Sequence, residues 1–172
     1  MRNKQKGFSL IELLIVVAII LIIAAIAIPN LIRSKMAANE ASSVASLRTV
    51  NTSEVVYSST YNVANVFSDN LVQLGDGGTT TNCGATFIPT KDAACLVDPA
   101  LENAVSTTTL KSGYFFTYTG AVGSYGILAS PGQVNSTGVR FFFTDQTLVI
   151  RAKAGSAATN TDAPIALLRG EL

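Results

Sequence analysis

Apolar residues follow one another almost without a break from Phe8 to Ile28, then thin to every third or fourth position, and beyond Gly113 gather in short runs. These three patterns predict three kinds of element. The first, 21 residues long, predicts a helix of about 32 Å, which matches the roughly 30 Å hydrocarbon core of a bilayer. In the second, Leu31, Ile32, Met36, Ala41, Val44, Leu47 and Val55 recur at helical steps, with Arg33, Lys35, Glu40, Arg48 and Glu54 between them. That spacing continues the helix over 29–58 with one apolar face. In the third, "GYFFTYTG", "SYGILASP", "VRFFFTD" and "LVIRAK" are aromatic and β-branched runs split by turn residues. They predict a four-stranded antiparallel meander over 113–153, with Asp145-Gln146 as a tight turn between the last two strands. The expected fold is α+β, the long helix packed on the sheet.

The segments between are less regular. Residues 59–112 are rich in Thr, Asn, Ser and Gly, with "GDGGTTTNCG" at 75–84, and predict a loop region holding one short helix or strand. Residues 154–172 predict a loosely docked tail. Pro29 has no N–H to give Ala25, so a kink or a locally extended stretch is expected over 25–29. Tyr114, Phe115, Phe116, Phe141, Phe142 and Phe143 read as core rather than as a binding platform. The Asn51 and Asn135 N-x-[ST] matches fit chance and glycan sites equally well.

Charge sharpens the picture. The net charge is +1, but Arg2, Lys4 and Lys6 put three positive charges on residues 1–7, leaving nine Lys or Arg against eleven Asp or Glu beyond. A basic patch confined to the extreme N-terminus argues against a nucleic-acid partner and fits the cytoplasmic flank of a membrane helix, with the bulk of the chain outside. There is no His, which excludes Ser-His-Asp and Cys-His catalysis and His-containing zinc sites. No pair of carboxylates is marked by spacing as an acid/base couple. No enzyme, cofactor or metal is expected. Cys83 and Cys95 lie twelve apart around a polar, Pro-containing segment, which reads as one disulfide in an exported domain.

Glu12 is the one charge inside the first apolar run. Three readings compete for it. A secretory signal peptide has a basic flank and an Ala25-Ile26-Ala27 cleavage site, but its apolar run is normally shorter. A plain single-pass anchor leaves Glu12 as a snorkelling carboxylate. In the third, cleavage after Gly7 frees the amine of Phe8, and Glu12 of one subunit pairs with that amine on the next, fixing axial register between packed helices.

"KGFSLIELLIVVAIILIIAAIAIPNL" resembles the N-terminus of type IV pilins and the related pseudopilins of type II secretion. The match lies at Gly7, Phe8, Ser9, Leu10, Ile11 and Glu12, with Pro29 where many pilins carry a helix-softening proline. The resemblance implies a leader of residues 1–7, cleavage between Gly7 and Phe8 by a prepilin peptidase, and N-methylation of Phe8. It also implies storage in the inner membrane, an assembly platform there, and polymerisation of residues 8–28 into a surface fibre for adhesion or motility. The chain has no Trp and so lacks the D-P-W-G-type motif of major pseudopilins, which favours a pilus subunit. A pseudopilin, and a monomeric membrane-anchored binding protein, remain as alternatives.

Overall fold

The structure, a computed structural model, describes residues 8–61, 67–78, 83 and 88–165. The leader, including Gly7, lies outside the described residues, as do 166–172 of the expected tail. The element order is α1 (Leu10–Thr60), α2 (Leu71–Leu74), α3 (Pro99–Glu102), β1 (Tyr114–Ala121), β2 (Ser124–Pro131), β3 (Arg140–Asp145) and β4 (Arg151–Ala154). The chain divides into two compact units, 1–35 and 36–172, and α1 contributes to both.

In the first unit α1 runs through Pro29 as helix. The locally extended alternative expected over 25–29 is therefore corrected: the neighbouring residues hold helical geometry despite the missing donor. Asn30 Nδ2 donates to the Ile26 carbonyl at 3.1 Å, adding a side-chain bond within the same turn.

In the second unit α1 turns one face inward, burying Leu47, Val50 and Tyr57 among the apolar residues. On its exposed side Thr49 and Thr52 return their hydroxyls to the helix's own Ala45 and Arg48 carbonyls, whereas Ser53 on the inward face donates to the Leu96 carbonyl at 3.1 Å. The sheet is antiparallel throughout, in the order β1-β2-β3-β4, with Phe116 opposite Ala129 and Ala129 opposite Phe142. Period-2 alternation sends Tyr114, Phe116, Tyr125, Ile127, Ala129, Phe142 and Ala152 into one core with Leu47 and Val50. Each large apolar side chain so buried contributes about 1.5–3 kcal/mol.

The same alternation corrects the expectation that all six aromatics form the core. Tyr114, Phe116 and Phe142 are buried, while Phe115, Phe141 and Phe143 are half-buried, one step out of phase. A tight turn does start at Asp145-Gln146, but the β3–β4 connection runs on beyond it. The Asp145 carbonyl accepts from Leu148 N–H at 2.8 Å, Leu148 takes φ 61°, and β4 starts only at Arg151.

The segment between α1 and β1 holds two one-turn helices. Asn70 caps α2 by accepting from Gln73 N–H at 3.0 Å, and Asp98 caps α3 by accepting from Leu101 N–H at 2.9 Å, with Pro99 in the first turn. Residues 94–97 run back along 73–75 through Ala94, Cys95 and Leu96 N–H bonds of 2.7–2.9 Å. Cys83 and Cys95 form a disulfide with their Cα atoms 5.7 Å apart. Closing a loop of that size contributes about 2–4 kcal/mol.

Candidate assembly site on the N-terminal helix

A helix that is apolar on every side has no inward face of its own. Seventeen large apolar side chains from Phe8 to Ile32 are exposed, and the most apolar 18-residue window of α1, of mean hydropathy 3.3, has none of its residues buried. At about 1.5–3 kcal/mol for each side chain covered, the drive to place this surface in lipid or against other helices is tens of kcal/mol. No specific contact is needed to supply affinity here. Specificity has to come from the rare polar groups.

Glu12 is the one Asp, Glu, Lys or Arg in that surface. The Ser9 N–H donates to Glu12 Oε2 at 2.9 Å, and the Ser9 carbonyl accepts the first helical bond, from Leu13 N–H at 3.3 Å. Ser9 thus stands at the N-cap and Glu12 at the third helical position, and the carboxylate makes the reach-back bond of a capping box. It satisfies one of the N–H groups that a helix start leaves unpaired and sits at the positive end of the helix dipole. Sequence reasoning missed this bond. Its signal is printed in the chain: Ser-x-x-Glu directly before an apolar run is the capping-box pattern. Neither a snorkelling carboxylate nor a register charge alone describes Glu12 fully.

Phe8 is exposed beside this cap. Gly7, the other side of the expected cleavage point, lies outside the described residues. The structure holds a single copy of the chain.

In the second unit, polar side chains of α1 serve attachment. Glu40 Oε1 accepts from the N–H groups of Val139 and Arg140 at 2.9 and 3.1 Å, and Glu40 Oε2 accepts from Arg140 Nε at 2.7 Å. Asn51 accepts from the Tyr125 hydroxyl at 3.0 Å and donates to the Leu148 carbonyl at 3.3 Å. Glu54 is fully buried. It accepts from Ser68 N–H at 3.1 Å, from Ser68 Oγ at 2.6 Å and from the Tyr118 hydroxyl at 2.6 Å. Burial pushes its carboxyl above the ordinary range, and these three bonds only partly oppose that. Glu102 is likewise pushed up by burial while accepting from Asp76 and Gly78 N–H. These groups tie loops and strands to helices. Of the two glycan-type matches, Asn51 is buried in this network and Asn135 is exposed in the β2–β3 turn. Among the described residues, no three His, Cys, Asp or Glu side chains gather as metal ligands.

Residues 2–28 match the family described as the prokaryotic N-terminal methylation motif. The chain is also similar to the major component PilA4 of the type IV wide pilus of Thermus thermophilus. The two are 62% identical over 40 residues, which is 23% of this chain and 30% of the relative. The match therefore spans less than a third of that relative's length. No solved structure matches the chain.

Proposed function

We propose that the chain, which is similar to type IV pilins over its N-terminal segment, is a structural subunit of a type IV pilus. A prepilin peptidase removes residues 1–7 and methylates the new amine of Phe8. The subunit waits in the inner membrane with residues 36–172 outside. An assembly platform there feeds it into a fibre in which residues 8–28 of many copies pack together. Glu12 of one copy accepts from the Phe8 amine of the next and sets their axial offset. The fibre then serves attachment or motility at the cell surface.

The observation that carries this reading is an apolar, exposed stretch of α1 up to Ile32 whose one carboxylate, Glu12, lies about a turn from the proposed cleavage point. A charge is costly in hydrocarbon, at roughly 2.5–3.5 kcal/mol at the bilayer centre and less toward the interface. A partner of opposite charge on a neighbouring helix offsets that cost only when the two helices are in register. A pseudopilin would share all of this. The pilus reading is favoured because the matched relative is a pilus component and because the chain has no Trp for a D-P-W-G-type motif.

Two measurements test the proposal. The mass of the mature N-terminus is expected to correspond to N-methylated Phe8; retention of Met1, or a start near Ile28, would replace the pilin reading with an anchor or a secreted protein. The second compares Glu12→Gln with Glu12→Ala. Gln keeps an oxygen for the Ser9 N–H and loses the charge, whereas Ala loses both. If charge sets register, both variants are processed and inserted, and neither yields abundant fibres. Wild-type fibre numbers from Glu12→Gln would show that the cap alone suffices.

A further inference from the structure

We propose that Ser9 is a positioning residue for fibre assembly. Its backbone N–H holds Glu12 Oε2, so that Oε1 is presented, already oriented, to the Phe8 amine of the neighbouring copy. The inference rests on the register role proposed above and adds a part that role does not contain.

The geometry is local. The Ser9 N–H to Oε2 distance of 2.9 Å is that of a well-formed bond, and it spans one turn within a single chain. Among the described residues, Oε1 carries no hydrogen bond in the structure. A carboxylate has acceptor sites on both oxygens, so the cap and a second donor do not compete. A glutamate side chain on a helix surface otherwise samples several rotamers, and an intersubunit pair would have to freeze them as it forms. With the cap in place that ordering precedes the encounter, so the pair forms with less loss of freedom. The neighbour then meets a carboxylate whose height along the helix is already set, which is what a register contact requires.

The test is dipolar-coupling solid-state NMR on the full chain, labelled with 15N at Ser and 13C at the Glu carboxyl carbon. It is recorded on the membrane-inserted subunit and on fibres. The Ser68 N–H to Glu54 contact of 3.1 Å produces a coupling of the same kind in both samples and serves as internal reference. Glu12→Gln in the membrane sample removes the share due to Glu12. The expected result is a Ser9–Glu12 coupling in the membrane subunit that persists in the fibre. A second 15N label at Phe amines should show coupling to Glu12 in fibres only. Absence of the Ser9–Glu12 coupling in the membrane, or its loss on assembly, would overturn the positioning role and leave the register role standing. Absence of the Phe8–Glu12 coupling in fibres would instead remove the register role, and with it the need for positioning.

Discussion

At the scale of single residues, a few carboxylates do most of the specifying. Glu54 is the sharpest case, buried without a cation among its hydrogen-bond partners. Its carboxyl is raised by burial, so the folded state binds its proton more tightly than the unfolded chain does. Its contribution to stability is full below the unfolded value near 4.5 and is lost as pH rises through the higher folded value. Unfolding of the full chain in detergent is expected to need less denaturant at pH 8 than at pH 5, and Glu54→Gln should flatten that slope. Glu102 is shifted the same way, so a residual slope of the same sign should survive in Glu54→Gln. An unchanged slope would mean that Glu54 titrates alike in both states. Replacement by Ala strands the buried Ser68 N–H, at about 1–3 kcal/mol, while the Tyr118 hydroxyl keeps the Ser68 carbonyl at 2.8 Å and Ser68 Oγ keeps the Tyr118 hydroxyl at 3.0 Å. None of this was legible from the chain. Glu54 sits at a helical spacing shared by solvent-facing charges, and its partners are 14 and 64 residues away.

At the scale of elements, α1 and the strands were readable because each repeats a period many times over. The 51 residues of α1 and the eight each of β1 and β2 leave little ambiguity about type. What the periods do not carry is which phase of a strand meets the helix. "YFF" and "FFF" place large apolar rings on both faces, so alternation by itself cannot say that Phe116 and Phe142 go in while Phe115, Phe141 and Phe143 do not. Phase is decided by pins such as Glu40, which fastens α1 to the start of β3 through two backbone N–H groups as well as the Arg140 side chain. Glu40→Ala is therefore expected to cost about 2–4 kcal/mol, since backbone donors cannot turn away to water. Arg140→Ala should cost under about 1 kcal/mol, its side chain being 44% exposed. Equal losses in chemical denaturation would mean that the ion pair, and not the backbone pin, holds the element. Gly120 is a second pin, of shape: a Cβ there would lie 2.8 Å from the Asp69 carbonyl oxygen. Gly120→Ala should push the 68–69 loop off β1 and weaken the Ser68 bonds to Glu54, seen as faster amide exchange at Ser68.

At the scale of the whole molecule, the two units answer to different surroundings. Residues 36–172 carry their own core, with one disulfide closing part of the segment between helix and sheet. Cys83→Ser with Cys95→Ser is expected to lower the melting temperature by several degrees, from a loss of about 2–4 kcal/mol, while near-UV circular dichroism of the packed tyrosines persists. Loss of that signal at room temperature would mean the sheet depends on the disulfide. Among its described residues the first unit buries none, and it is completed by whatever surrounds it. Dilution of detergent below its micellar concentration should therefore drive the full chain into large particles through residues 8–35. A chain that stays monomeric would contradict the exposure described above. That α1 is long and apolar enough to cross a membrane was plain from hydropathy alone, because lipid demands length and little else.

The inward face of α1 beyond Lys35 holds Glu40, Asn51 and Glu54 in named bonds, whereas Ala41, Ala45, Thr52 and Val55 lie on the exposed side. If the proposed fibre forms, one helix serves both folding and assembly, and selection should write the two in separate columns. In a saturation library scored once for properly folded protein and once for fibre, tolerance along 36–60 should oscillate with the helical repeat in both screens. Substitutions that pass the folding screen yet fail the fibre screen should cluster on the exposed side, and would chart which part of it another subunit covers.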